Sequence, residues 1–196
     1  MRTKMSKIKP KPEIPQMYIS FEGAGYYLLS GEINIESTSD AIQYIVERNS
    51  NFQDQKDRTE IRMLINSVGG DLCSGFALID IMKGSEIDIS TFGLGTIASA
   101  GLAIFMAGKK GKRYITQNTS ILSHQFSWGS FGKEHELYAR NKEFELTTQR
   151  MLAHYKKCTG LNEKKVREIL LPSNDVWLSA EEAVRYGIAD KIVEWY

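Results

Sequence analysis

The sequence predicts an α/β fold, a parallel sheet covered by helices, from three observations. A β-branched strand, a glycine-bearing turn and a helix follow one another twice between Ile61 and Ala107. The segment Ile97 to Ala107 is eleven residues of almost unbroken apolar character, interrupted by Ser99. A third apolar run, Ile121 to Gln125, has the length of one more buried strand. Repeated strand–turn–helix order is the grammar of βαβ crossovers, which bury a parallel sheet under helices.

The chain has 196 residues, 42% of them hydrophobic and 25% charged, enough for one sizeable core and short of two domains. Residues 1 to 16 carry five lysines and arginines beyond Met1 together with Pro10, Pro12 and Pro15, and read as a flexible arm before a single domain at 17–196. In order, Tyr26 to Leu29 is expected as a strand and Ser39 to Arg48 as a helix with Ile42 and Ile45 on one face. Ile61 to Ile65 is a strand, Asn66-Ser67-Val68-Gly69-Gly70 a turn, and Leu72 to Met82 a helix. Ile87 to Phe92 is a strand ending in Gly93 and Gly95, followed by the apolar helix from about Ala98. Glu134 to Lys157 has the composition of a long projecting helix. Ser179 and Glu182 form a capping box, Gly187 ends that helix, and a last strand follows around Lys191 to Trp195.

Net charge excludes little but argues against two partners. With 25 basic and 24 acidic residues the formal charge is +1, so no general field draws in nucleic acid or an anionic membrane. The longest apolar run is far short of the roughly twenty residues that span a bilayer, and no signal-peptide h-region is present. Two cysteines, Cys73 and Cys158, suit a reducing, cytoplasm-like compartment.

The residues able to do chemistry are few. Ser99 is expected in the first turn of the buried helix, where free N–H groups and the helix dipole would stabilise a developing oxyanion; an ordinary N-cap serine fits the same place. His124 lies in an apolar strand, as a base held by a packed scaffold or as a hydrogen-bonded core histidine. Asp175 stands in a polar turn and reads locally as a turn aspartate. His135 and His154 read as surface residues, and His135-Glu136 lacks the second histidine of a zinc motif because position 139 is Ala139, so no metal site is expected. The run Lys109-Lys110-Gly111-Lys112-Arg113 reads as a solvated turn. Gly93-Leu94-Gly95-Thr96-Ile97-Ala98 fits a dinucleotide fingerprint, yet no acidic residue occurs from Ser90 to Lys133, where the ribose ligand should lie.

Taken together, Ile65-Asn66-Ser67-Val68-Gly69-Gly70, Ile97-Ala98-Ser99-Ala100-Gly101, Ser123-His124-Gln125, Leu178-Ser179-Ala180-Glu181-Glu182-Ala183 and Tyr186-Gly187 resemble the Clp peptidase family in order and approximate spacing. The basic run after Ala107-Gly108 resembles it too. The resemblance implies a crotonase-like α/β fold with a handle at about 129–157, and Ser99, His124 and Asp175 as catalytic serine, histidine and aspartate. It implies backbone N–H groups of Gly69 and Ala100 as the oxyanion hole, with substrate laid as a strand beside Gly69, Gly70 and Gln125. It further implies two stacked seven-membered rings of like subunits, unfolded proteins and short peptides as substrates, and an AAA+ unfoldase that alone spends ATP, the peptidase needing no cofactor. Val68, Ala100 and Phe126 depart from the family's usual proline, methionine and proline. A catalytically silent or partner-dependent ring subunit and a crotonase-like acyl-CoA enzyme are the alternatives.

Overall fold

The computed structural model describes residues 25–50, 60–127 and 129–194. The expected arm at 1–16 lies outside these residues. Among the described residues thirteen elements follow in order: β1 (Tyr26–Ile33), α1 (Ile35–Ser50), β2 (Ile61–Gly70), α2 (Leu72–Gly84), β3 (Ile89–Ala98), α3 (Ala100–Met106), β4 (Arg113–Ile115), β5 (Ser120–Ser123), α4 (Glu134–Thr159), α5 (Glu163–Ile169), β6 (Val176–Leu178), α6 (Ala180–Arg185) and β7 (Lys191–Ile192).

The sheet runs β1-β2-β3-β4-β7, every neighbouring pair parallel. Along β2 burial alternates, with Ile61, Met63, Ile65, Ser67 and Gly69 buried and the residues between them not, so one face of this strand packs into the core. Helix α3 is buried at all seven positions, which explains why its sequence carries no charge and no polar stripe.

Strand β3 forks. Its first half, Thr91 to Gly93, pairs with β4, and its second half, Thr96 to Ala98, pairs with β5. The fork needs the strand to change direction, and the ladder to β2 slips there: Ile65 pairs with Gly93 but Ser67 with Ile97. Gly95, at φ 58°, turns the chain, and a Cβ there would stand 2.9 Å from Asn66 Oδ1. That same oxygen accepts the Thr96 N–H at 3.1 Å, filling the bulge. Gly93 and Gly95 therefore mark a bulge inside a ten-residue strand rather than its end. Asn66 to Gly70, expected as a turn, is likewise the continuation of β2. In both places local turn propensity yields to pairing with neighbouring strands.

Other expectations shift less. β1 starts at Tyr26 as expected but runs on to Ile33, α1 is longer at both ends than the sequence suggested, and α4 matches closely, ending at Gly160 in the left-handed conformation. From Phe131 to Lys142 every residue is exposed, whereas Thr147, Met151, Leu152, His154 and Tyr155 pack into the core. Helix α4 is thus half projection and half scaffold.

Two surface assignments are corrected. His154 is 4% exposed, with Nε2 at 2.8 Å from the Ala103 carbonyl oxygen and Nδ1 at 2.9 Å from Lys83 Nζ. Burial first, and the Lys83 charge second, pull its pKa down to about 4. Arg113, from the basic run, is 1% exposed and grips Asp190 with Nε and Nη2 at 2.9 and 2.6 Å. Partial burial of Asp190 works against its ionisation, but these bonds outweigh it and hold the carboxyl below its usual range. This buried pair ties β4 to the turn before β7.

Candidate active site

The site forms where β2 and β3 end. Ser99 is the residue between β3 and α3, with φ 52° and ψ −122°, and it alone among the described non-glycine residues has positive φ. Such a backbone costs about 1–3 kcal/mol and persists only where neighbours over-determine it. The neighbours here are evident. Ser99 N–H donates to the Leu122 carbonyl at 3.1 Å, and the Ser99 carbonyl accepts the Ala103 N–H at 3.1 Å. The side chain makes no capping hydrogen bond, so Ser99 is not the ordinary N-cap serine that its sequence allowed.

Gly69 closes over this turn. A Cβ on Gly69 would lie 2.7 Å from Ser99 Cβ and 2.8 Å from the Ala98 carbonyl oxygen, and its φ of 96° is itself suited to glycine. A Cβ on Gly101 would lie 3.0 Å from Ser67 Cβ, so the start of α3 also rests directly on β2. Gly70 meets the Ile33 carbonyl as closely on the other side. Asp71 then caps α2, accepting the Ser74 N–H and hydroxyl at 2.7 and 2.6 Å, and those bonds lower its pKa. The chain after Gly70 enters this helix at once, so the extended backbone beside Ser99 is Val68 to Gly70 itself.

His124 follows β5 directly instead of lying inside the strand. Its position comes from its two neighbours: Ser123 Oγ donates to the Leu170 carbonyl at 2.6 Å, and Gln125 N–H donates to the Pro172 carbonyl at 3.2 Å. Gln125 Nε2 adds a bond to Leu171 O at 3.2 Å. Strand β6 runs antiparallel to β5 with Ser123 opposite Val176. One step further along that register sets His124 opposite Asp175, and His124 Nδ1 lies 3.3 Å from Asp175 Oδ1. Both side chains are reached by solvent, the aspartate more than the histidine.

The chain therefore brings His124 and Asp175 together and sets Ser99 against Gly69. Between these halves no hydrogen bond joins Ser99 Oγ to the imidazole among the described residues. Of the two backbone donors named from sequence, Ala100 N–H has no acceptor among the described residues, while Gly69 N–H donates to Ser67 Oγ at 3.1 Å. Ser67 Oγ in turn donates to the Gly31 carbonyl at 2.6 Å. Ser67 and Asn66 are the site-forming residues that sequence reasoning missed, because Asn-Ser ahead of two glycines has the composition of a plain turn. Ser67 is marked by its burial and Asn66, which is exposed, by its bond from the Thr96 N–H, and both signals depend on pairing with β3. Phe126, two residues past His124, packs its ring against Phe144 of α4 with centroids 5.2 Å apart.

The family model described as Clp protease matches residues 24–195. Similar proteins include ATP-dependent Clp protease proteolytic subunit 2 of Rhodococcus jostii, 36% identical over 135 residues, which are 68% of each chain. The subunit 2 of Corynebacterium diphtheriae is 33% identical over 69% of this chain and 67% of its own. The proteolytic subunit of Deinococcus radiodurans is 34% identical over 71% of this chain and 68% of its own.

Proposed function

The chain belongs to the Clp protease family, and on that premise we propose that it is a serine endopeptidase in which Ser99 is the nucleophile, His124 the general base and Asp175 the residue that orients the imidazole. The observation that carries this reading is the Ser99 backbone. A serine held at φ 52° on a sharp strand-to-helix turn, with its hydroxyl uncommitted, has no structural use for that conformation, whereas a nucleophile at such a turn presents its oxygen clear of the sheet.

The residues then divide the work. Asp175 beside Nδ1 favours the tautomer with its proton on that nitrogen, leaving the Nε2 lone pair to take the Ser99 proton. Ser99 Oγ attacks the peptide carbonyl, His124 returns the proton to the leaving amine, and a water repeats both steps on the acyl-enzyme. The free Ala100 N–H faces the oxyanion, and Gly69 N–H joins it on leaving Ser67 Oγ, which keeps its bond to the Gly31 carbonyl. Apo catalytic hydrogen bonds are often long and tighten around substrate, as the Ser99–His124 contact would. Extended substrate would lie between Val68–Gly70 and the chain at Gln125, where β3 has turned away into α3 and leaves both edges open; such β-addition reads main chain more than side chain. No cofactor is needed for these steps.

Assembly into stacked rings is supported by the uncovered half of α4, where Tyr138 and Leu137 are 71% and 40% exposed, and by Phe131 just ahead of the helix, 93% exposed; apolar side chains left uncovered in one region ask for a partner surface. Enclosure would restrict access to unfolded chains and short peptides, with an AAA+ unfoldase spending ATP to deliver the former. Among the described residues no helix is long and apolar enough to cross a membrane, and both cysteines are free thiols, as a cytoplasmic location would require. The missing Ser99–His124 bond is the one observation favouring a non-cleaving ring subunit. Hydrolysis of a fluorogenic peptide separates the two: Ser99→Ala is expected to lower the rate by about six orders of magnitude, and equal rates in variant and parent would overturn the proposal.

A further inference from the structure

Away from the candidate active site, a cavity of about 430 Å³ opens between the C-terminal ends of α2 and α4 and the loop joining α3 to β4. Among the described residues its wall includes Lys83, Lys109, Lys110, Arg113 and Lys157, against a single acid, Asp88. A second cavity of about 590 Å³ shares Lys83 and Lys157 and adds Arg150 and Asp80. The two cavities share these lysines, and among the described residues their walls together carry six cations and two acids.

Some of these charges are already matched. Arg113 is bound to Asp190, Lys109 to Asp88 at 3.0 Å, and Arg150 to Glu143 at 2.7 Å. Three are not. Lys83 Nζ meets the imidazole of His154, which its low pKa keeps neutral at pH 7, and Lys110 and Lys157 make no ion pair among the described residues. The charge is felt inside: Lys83, Lys157 and Arg113 all disfavour protonation of His154, and the same three together with Lys110 favour the thiolate of Cys158, although burial wins and raises that pKa.

Three unmatched ammonium groups converging on a concavity repel one another, and low-dielectric walls focus their field on whatever enters. The chain's overall charge of +1 makes this concentration local rather than a general basic character. We infer that the cavity binds a compact polyanion bearing several phosphate groups, held by Lys83, Lys110 and Lys157. Its volume lies in the range of small-ligand sites. Among the described residues the wall of the 430 Å³ cavity, which holds all three lysines, contains no aromatic side chain, Phe76 and His154 lining only the adjoining cavity; with no ring beside the lysines to stack on a base, an inorganic oligophosphate is favoured over a nucleotide or a nucleic acid strand. Lysine suits the role as a point-charge phosphate binder.

Titration calorimetry of the purified full chain with sodium tripolyphosphate tests the site. All three lysines are exposed, so Lys110→Gln/Lys157→Gln is expected to fold normally. Saturable binding that weakens at least tenfold in this double variant supports the inference, and adding Lys83→Gln should weaken it further. A control variant, Lys142→Gln/Lys165→Gln, removes two lysines that pair with Glu145 and Glu168 elsewhere and should bind as the parent does. Absence of saturable binding, or equal weakening in the control, overturns it. Protection of Cys158, in the cavity wall, from a maleimide by tripolyphosphate in a Cys73→Ser background gives a readout independent of heat.

Discussion

Ser99 and Gly69 sit at the buried ends of two ten-residue strands, whereas His124 and Asp175 sit past the ends of strands of four and three residues. The first pair is locked by glycine contacts, by backbone bonds on both sides of Ser99 and by the start of a wholly buried helix. The second depends on a three-pair antiparallel ladder and on bonds from Ser123 and Gln125 to residues 170–172, with solvent reaching both side chains. A strained nucleophile turn needs a rigid frame, because strain not over-determined by packing relaxes. A base that must swing a proton between partners tolerates a lighter hold. The unclosed contact lies at the seam between the two.

Perturbing each half should therefore have different consequences. On the lightly held side, Asp175→Asn keeps the shape but supports the wrong imidazole tautomer, and kcat for peptide hydrolysis is expected to fall about ten-thousandfold with melting temperature unchanged. A fall of less than tenfold would place the orienting role elsewhere. On the rigid side, Gly69→Ala pushes a methyl against Ser99 and the Ala98 carbonyl and places alanine at φ 96°. Activity should fall about 10²–10³-fold, the scale of losing one oxyanion donor, and unlike Asp175→Asn it should also reduce stability, by about 1–3 kcal/mol in urea unfolding.

A smaller effect probes the scaffold behind the rigid half, where His154 ties α4 to α3 through the Ala103 carbonyl. Its folded pKa, about 4, lies below the ordinary 6.5. Between those values the unfolded chain binds more protons, so this contribution is present above pH 6.5 and is lost as pH falls toward 4, amounting to about 3 kcal/mol. Urea unfolding at pH 7.5, 6 and 4.5 should show that slope in the parent and not in His154→Gln.

The sequence disclosed the repeated strand–helix order, the buried helix behind Ser99, the capping box at Ser179 and the long α4 because each is written in local periodicity or capping chemistry. Where a residue's role depends on partners distant in the chain, local reading went astray. Gly93 and Gly95 announce a turn and instead make the fork in β3; His154 and Arg113 look solvated and instead are core residues matched to Ala103, Lys83 and Asp190. Strand β6, three residues long, left no periodic signal, although its register is what sets Asp175 opposite His124. Ser67, bridging Gly69 to Gly31, was hidden for the same reason.

The most direct test of the central claim is labelling of the purified protein with a fluorophosphonate, followed by peptide mapping of the modified residue. The account predicts a single phosphonylated serine, Ser99, with labelling abolished in Ser99→Ala and strongly slowed in His124→Ala. Modification of another serine, or none at Ser99 in protein that hydrolyses peptide, would contradict it.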